Sequence, residues 1–379
     1  MIVLAAIVVA VLLLAPSHAA SAPPPVVVAP ITSASSAADA APIPAPEVGT
    51  LMTQGSLADV IDMVPGKPPT PRYPAGTMFV GSVVDDGDRG PAAKLYEWDV
   101  ARAAIVDVRT IRLDDANGKI DPGAPSAIRL AKDGDQVISV VEASGGAHAL
   151  SAEGWVHSMG SRASIAGERG LVAVAYYEGT SRALEIELFH PSFYGADVLG
   201  HTRLDGGDRV AAGQRPAALT FLHGRLYVAT RPNAFETVVA ELQIPSLRVL
   251  GTFRHRREST KHARSQLFAR DERLYLLDRG ELVELPPHAI GAVDYKPRMH
   301  DVDADEVAVH SGRFLTTGGL NQTSMRGDFV PALGASGSCT PAWSPDGVGA
   351  NGAPIDASPM LACSVAGGGV RVVRLPRAE

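Results

Sequence analysis

One short pattern recurs along this chain and limits what it can fold into: a polar or glycine turn, then a bulky apolar pair opening a β-rich run. It appears as GTMFVGSV at Met78, GDQVISVV at Val137, ERGLVAVA at Leu171 and GRLYVAT at Leu226. ERLYLLD at Leu274, GRFLTTG at Phe314 and PMLACSV at Met360 continue it. The steps between these anchors average about 47 residues, with the first two (59 and 34) the most uneven. A unit of this size cannot bury an apolar face alone and must stack on its neighbours.

The clearest copy runs from Arg215 to Phe253. Ala217–Leu222 is a short apolar strand, and His223-Gly224-Arg225 a turn. Leu226–Thr230 is rich in β-branched and aromatic residues, and Arg231-Pro232-Asn233 reads as a break, since proline cannot donate to a ladder. Val238–Ile244 and Arg248–Phe253 are the third and fourth strands, separated by Pro245-Ser246. Four antiparallel strands in roughly forty residues, with no helical periodicity, make one propeller blade. Third strands recur as LYEWDV at Leu95, ALEIEL at Ala183, VVAELQ at Val238, ELVEL at Glu281 and VRVVRL at Val370; fourth strands as TIRLDD at Thr110 and HTRLDG at His201. The expectation is an all-β chain, a seven-bladed β-propeller of four-stranded antiparallel blades over 50–379, with six or eight blades the alternatives.

These residues (a proline, a small apolar strand, a glycine turn, L-Y-V, then a strand ending V-x-x-L) resemble the YVTN/NHL-type propeller repeats of bacterial surface and periplasmic proteins. The resemblance covers most of the chain after Tyr73. It implies the fold, while propellers as a class carry unrelated functions.

The segment 1–19 opens with an uninterrupted apolar run, Met1–Pro16, and Ser17-His18-Ala19 offers small residues for signal-peptidase cleavage before Ala20. The run is short for a spanning helix. No Lys or Arg precedes it, so an uncleaved N-terminal anchor is the alternative to a cleaved signal peptide. Residues 20–49, rich in Ala, Pro and Ser, cannot bury enough apolar surface to offset ordering and read as a disordered linker. The expected location is periplasmic, cell-surface or extracellular, with membrane contact only through the N-terminal segment. Thr50–Val64 regains apolar character, which fits either a strand completing the last blade or a short rim helix. Cys339 and Cys363, the two cysteines, both fall in the last blade, and an even count in an exported chain points to a disulfide. Closing that loop would contribute roughly 3 kcal/mol.

A net charge of −7 excludes a general attraction to nucleic acid or anionic lipid. Against that background the run RHRRESTKHAR stands out, and Arg254, His255, Arg256, Arg257, Lys261 and Arg264 are candidates for binding an anionic ligand or protein partner. For metal, the candidates are Asp114, in LDDANG; Asp205, in LDGGD; and Asp301 and Asp303, in HDVDAD. LDDANG partly echoes a calcium loop, but it lacks the ordered oxygen ligands and terminal Glu, so tight turns are the favoured reading. No nucleophile elbow, HExxH, Walker loop or dinucleotide fingerprint occurs. The favoured function is a non-catalytic, monomeric binding propeller of the bacterial envelope, with its ligand on the loop face over the central channel. A metal-dependent hydrolase or lactonase-like enzyme with its site over that channel, and a structural surface protein, are the alternatives.

Overall fold

The protein is an all-β propeller. The computed structural model describes residues 51–374 except 53–56, 58–59, 112–122, 134–135, 145, 151–155, 193–194, 208–214, 257–264, 271, 289, 291–296, 302–306, 311–312, 317–328, 332–338, 344–359 and 365–368. Among the described residues the strands form seven sheets. Strand β1 is Leu51–Met52. Blade 1 is β2 (Asp62–Pro65), β3 (Thr77–Asp85), β4 (Pro91–Asp99) and β5 (Ala104–Ile111). Blade 2 is β6 (Pro125–Asp133), β7 (Gln136–Ala143), β8 (Gly146–Leu150) and β9 (Val156–Met159). Blade 3 is β10 (Ser161–Glu168), β11 (Leu171–Tyr177), β12 (Ala183–Ser192) and β13 (Gly195–Asp205). Blade 4 is β14 (Ala218–Leu222), β15 (Arg225–Asn233), β16 (Glu236–Gln243) and β17 (Arg248–Arg256). Blade 5 is β18 (Ser265–Arg270), β19 (Arg273–Asp278), β20 (Glu281–Leu285) and β21 (Arg298–Asp301). Blade 6 is β22 (Val307–His310), β23 (Arg313–Thr316) and β24 (Phe329–Pro331), the last pair parallel. Blade 7 is β25 (Cys339–Trp343), β26 (Met360–Ser364) and β27 (Val370–Arg374).

Each recurring anchor from Met78 to Met360 lies on the second strand of a different sheet. The first strands gather at the centre: β25 packs on β2, β2 on β6, β6 on β10, β10 on β14 and β14 on β18, while β22 packs on β25. Blade 7 takes its outermost strand from the other end of the chain, because β1 pairs antiparallel with β27, Leu51 opposite Val373 and Met52 opposite Val372. The closing strand therefore comes from the start of Thr50–Val64, and the end of that stretch opens blade 1.

The core is a series of seams between blades. In β11, Val172, Val174 and Tyr176 pack with Ile138 and Val140 of blade 2, whereas Ala173, Ala175 and Tyr177 pack with Leu226, Val228 and Leu242 of blade 4. Successive side chains on a strand point to opposite faces. A middle strand covered on both faces is thus apolar without alternation, which is why LVAVAYY is a continuous run. Trp98, fully buried, fills the seam between blades 7 and 1 with Met78, Val80 and Val372. Each such large side chain contributes about 1.5–3 kcal/mol relative to exposure.

Blade 4 departs from the sequence reading at two points. Strand β15 continues through Arg231-Pro232-Asn233, and its register with β16 shifts between Thr230 and Asn233; a bulge is where a sheet tolerates proline. Strand β17 runs three residues past Phe253, so Arg254, His255 and Arg256 stand on a strand rather than in a loop. A second bulge pattern recurs in blades 3 and 4, where VLG at 198–200 and 249–251 interrupts the outermost strand's pairing. The glycines that follow allow close approach: a Cβ on Gly200 would lie 1.9 Å from the Pro245 carbonyl oxygen, and one on Gly251 would lie 2.1 Å from that of Ile290. Each outer strand thereby lets the next blade's turn seat against its backbone.

Candidate functional site

Pairing brings the end of β15, the start of β16, the end of β17, the start of β18, the end of β19 and the start of β20 to one end of blades 4 and 5. Strand alternation divides the last three residues of β17. Arg254 and Arg256 share a face, and His255 takes the other. Glu236, the first residue of β16, lies directly across from Arg256. Its Oε1 accepts from Arg256 Nε at 3.1 Å and its Oε2 from Arg254 Nη1 at 3.2 Å. The Glu236 side chain is nearly covered, while those of Arg254 and Arg256 are 61% and 77% exposed. The hydrogen bond from Arg256 holds the Glu236 carboxyl below the usual range, with desolvation working against it and Arg254 adding to the effect. Each guanidinium carries five N–H donors in a planar fork. Glu236 fixes one edge of each fork, and the exposed arginines can offer other donors to a carboxylate or phosphate.

His255 turns into the seam between the blades. It is buried, its Nε2 3.2 Å from Glu281 Oε2 and 3.9 Å from Asp278 Oδ2. Asp278 is wholly buried at the end of β19 and is the hub of a polar latch. It accepts from Arg231 Nη2 at 2.8 Å, Thr237 Oγ1 at 2.8 Å, Ser265 Oγ at 2.9 Å and Arg279 Nη1 at 3.0 Å. Burial works to raise the Asp278 pKa, but hydrogen bonding and charge from Arg231, with help from Thr237 and Arg279, outweigh it and hold the carboxyl below its ordinary value. The donors come from both blades, so the latch joins them. Nothing in linear spacing pairs Asp278 with Arg231 or Thr237, and the sequence reading missed all three; the one local signal is the turn-forming Asp278-Arg279-Gly280.

A second pairing joins the first strands, with Asp62 opposite Gly81 about halfway along β3. Asp62, the first residue of β2, accepts from Leu130 N of blade 2 at 2.9 Å and from Arg215 Nη2 at 2.7 Å. Arg215 precedes β14 of blade 4, so it reaches across the ring of first strands to blade 1, with its side chain half exposed. The first strands therefore carry a half-exposed arginine whose partner carboxylate is buried.

The remaining sequence candidates are scattered. Arg257, Lys261, Arg264, Asp114 and Asp303 lie outside the described residues. Asp205 ends β13, and its Oδ1 accepts from Gly207 N at 3.0 Å, closing a local turn. Asp301 ends β21 two blades further on, opposite Glu281 in the backbone register. The structure does not bring these two aspartates together, and among the described residues no group of three His, Cys, Asp or Glu side chains is arranged to hold a metal ion. Cys339 and Cys363 are backbone partners, directly opposite in the β25–β26 register.

No protein-family model matches the sequence, and no curated protein is detectably similar to it. Solved structures similar to it include the AfRom2 CNH domain, at 12% identity and a TM-score of 0.42, covering 86% of this chain and all of that one. The dihydro-heme d1 dehydrogenase NirN is similar at 13% identity and TM-score 0.41, over 83% of this chain and 67% of that one. The WD40 domain of SCAP from fission yeast is similar at 13% identity and TM-score 0.39, over 72% of this chain; the chain spans 59% of that structure's length.

Proposed function

We propose that this protein is an exported, non-catalytic binding propeller that takes an anionic ligand or acidic protein partner on the loop end of blades 4 and 5. The observation that carries this reading is the pair of exposed guanidiniums, Arg254 and Arg256, braced at their base by one nearly buried carboxylate. Bracing lowers the side-chain entropy lost on binding, and an arginine fork matches planar oxyanions. Arg257, Lys261 and Arg264, next along the chain, continue the run of positive charge in the sequence. The half-exposed Arg215, just before β14 of blade 4, adds a further guanidinium. Export is supported by the apolar segment 1–19 and the linker 20–49, and the repeat grammar agrees with the YVTN/NHL-type proteins of bacterial envelopes.

Binding of poly-L-glutamate to the purified protein, followed at several salt concentrations, tests the site. The reading expects affinity that falls with salt and drops at least about tenfold in the Arg254→Glu/Arg256→Glu double variant, as removal of two charge-assisted contacts implies. Equal, salt-insensitive binding by wild type and variant would refute it. Export is tested separately by N-terminal sequencing of protein recovered from the periplasm, where a mature chain beginning at Ala20 is expected.

A further inference from the structure

The basic end of blade 4 also carries an apolar feature that an anion site does not require. Phe235 occupies the turn between β15 and β16 and is 58% exposed, more than any other large apolar side chain among the described residues. Two residues hold this turn through three hydrogen bonds. Asn233 Oδ1 accepts from Phe235 N at 2.9 Å. Arg279, on the neighbouring blade, donates to the Ala234 carbonyl at 2.8 Å and to the Phe235 carbonyl at 3.4 Å. Arg279 is itself 2% exposed and paired with Asp278. A buried, charge-compensated guanidinium thus clamps a surface turn, and the ring at the tip stays in water.

Exposing a phenyl ring is unfavourable in a free monomer, and isolated exposed apolar residues are common enough to carry little alone. The clamp and the surrounding charge change the case. Phe235 adjoins Glu236, the residue to which Arg254 and Arg256 are tied, so the ring stands within one residue of a doubly cationic base. Interfaces concentrate their energy in aromatic and arginine side chains placed together, and preorganisation removes the ordering cost of a flexible turn. A free phosphate or a purely acidic chain would use the arginines and leave the ring in water.

We propose that Phe235 is the anchor of a protein-docking surface, and that its partner is an acidic peptide segment carrying an apolar side chain. The ring packs on that apolar side chain while Arg254 and Arg256 pair with carboxylates on either side. This rests on the reading of blades 4 and 5 as the binding end and names the class of partner for it.

The test uses the full-length protein and two fluorescein-labelled peptides of equal length and charge, one alternating glutamate with leucine, the other glutamate with serine. Fluorescence anisotropy gives the affinities of wild type, Phe235→Ala, Asn233→Ala and Arg254→Glu/Arg256→Glu. Wild type is expected to favour the leucine peptide at least about tenfold, and F235A to lose that preference while binding the serine peptide as wild type does. N233A, which frees the Phe235 amide, is expected to fall between them. The double charge variant should weaken both peptides. Because the Phe235 ring is exposed, F235A should melt within a degree or two of wild type, which separates lost docking from lost fold. An F235A protein that keeps the full preference for the leucine peptide overturns the anchor while leaving the anion site intact. Failure of both peptides to bind wild type overturns the anchor and the binding end together.

Discussion

Replacing Asp278 by alanine is the sharpest test of how blades 4 and 5 are joined. The carboxylate is fully buried and accepts hydrogen bonds from Arg231, Arg279, Thr237 and Ser265. Asp278→Ala leaves the 2%-exposed Arg279 and the largely covered Arg231 without their shared counter-charge. Removing one partner of a buried ion pair costs about 3–5 kcal/mol, mostly because the surviving charge stays desolvated. For a domain of roughly 300 residues, an unfolding entropy of about 2.1 cal/mol/K per residue converts this to a fall in Tm of about 5–8 °C. The control is Arg273→Ala, which breaks the Arg273–Glu284 pair at 2.7 Å with the arginine half exposed. An exposed pair contributes little because solvent screens it, so R273A should shift Tm by less than about 2 °C. Differential scanning calorimetry of the three proteins at neutral pH decides the matter. If D278A falls no further than R273A, the latch does not hold the seam and the argument from burial fails.

Three further outcomes are expected. Because the folded-state pKa of Asp278 is depressed, its stabilisation is present above the unfolded carboxylate value of about 3.9 and is lost as pH falls through the folded value; the Tm gap between wild type and D278A should be constant from neutrality to about pH 5 and narrow below about pH 4. Gly200→Ala and Gly251→Ala each place a methyl about 2 Å from a backbone oxygen that cannot rotate away, and urea titration should show each losing about 1–3 kcal/mol. The cross-strand placement of Cys339 and Cys363 predicts a disulfide in protein purified under oxidising conditions, seen as a two-dalton mass gain on reduction, with a stability loss of roughly 3 kcal/mol in the Cys339→Ser/Cys363→Ser variant.

The all-β class and the spacing of the repeats follow from local sequence. Leu226-Tyr227-Val228 and its copies are strands because middle strands buried on both faces must be apolar throughout, and that demand falls on consecutive residues. The chain-closing strand was half legible, since the apolar character of Thr50–Val64 fits a strand or a helix equally until β27 is present to pair with Leu51 and Met52. The prominence of Arg254–Arg256 was also visible as charge in an acidic chain. What each arginine does was not, because Arg254 and Arg256 are paired by Glu236 across a hairpin, and His255 is turned inward by strand alternation once β17 extends through it.

The tertiary structure alone decided the latch and the Asp62–Arg215 pair. Asp278 meets Arg231 and Thr237 over separations of 47 and 41 residues, and Asp62 meets Arg215 over 153. Contacts of that range depend on which blade follows which around the ring, information that no local window of sequence contains. Phe235 shows the same division from the other side. Its sequence neighbours mark a turn, but only the arrival of Arg279 from the next blade makes that turn a rigid mount for an exposed ring.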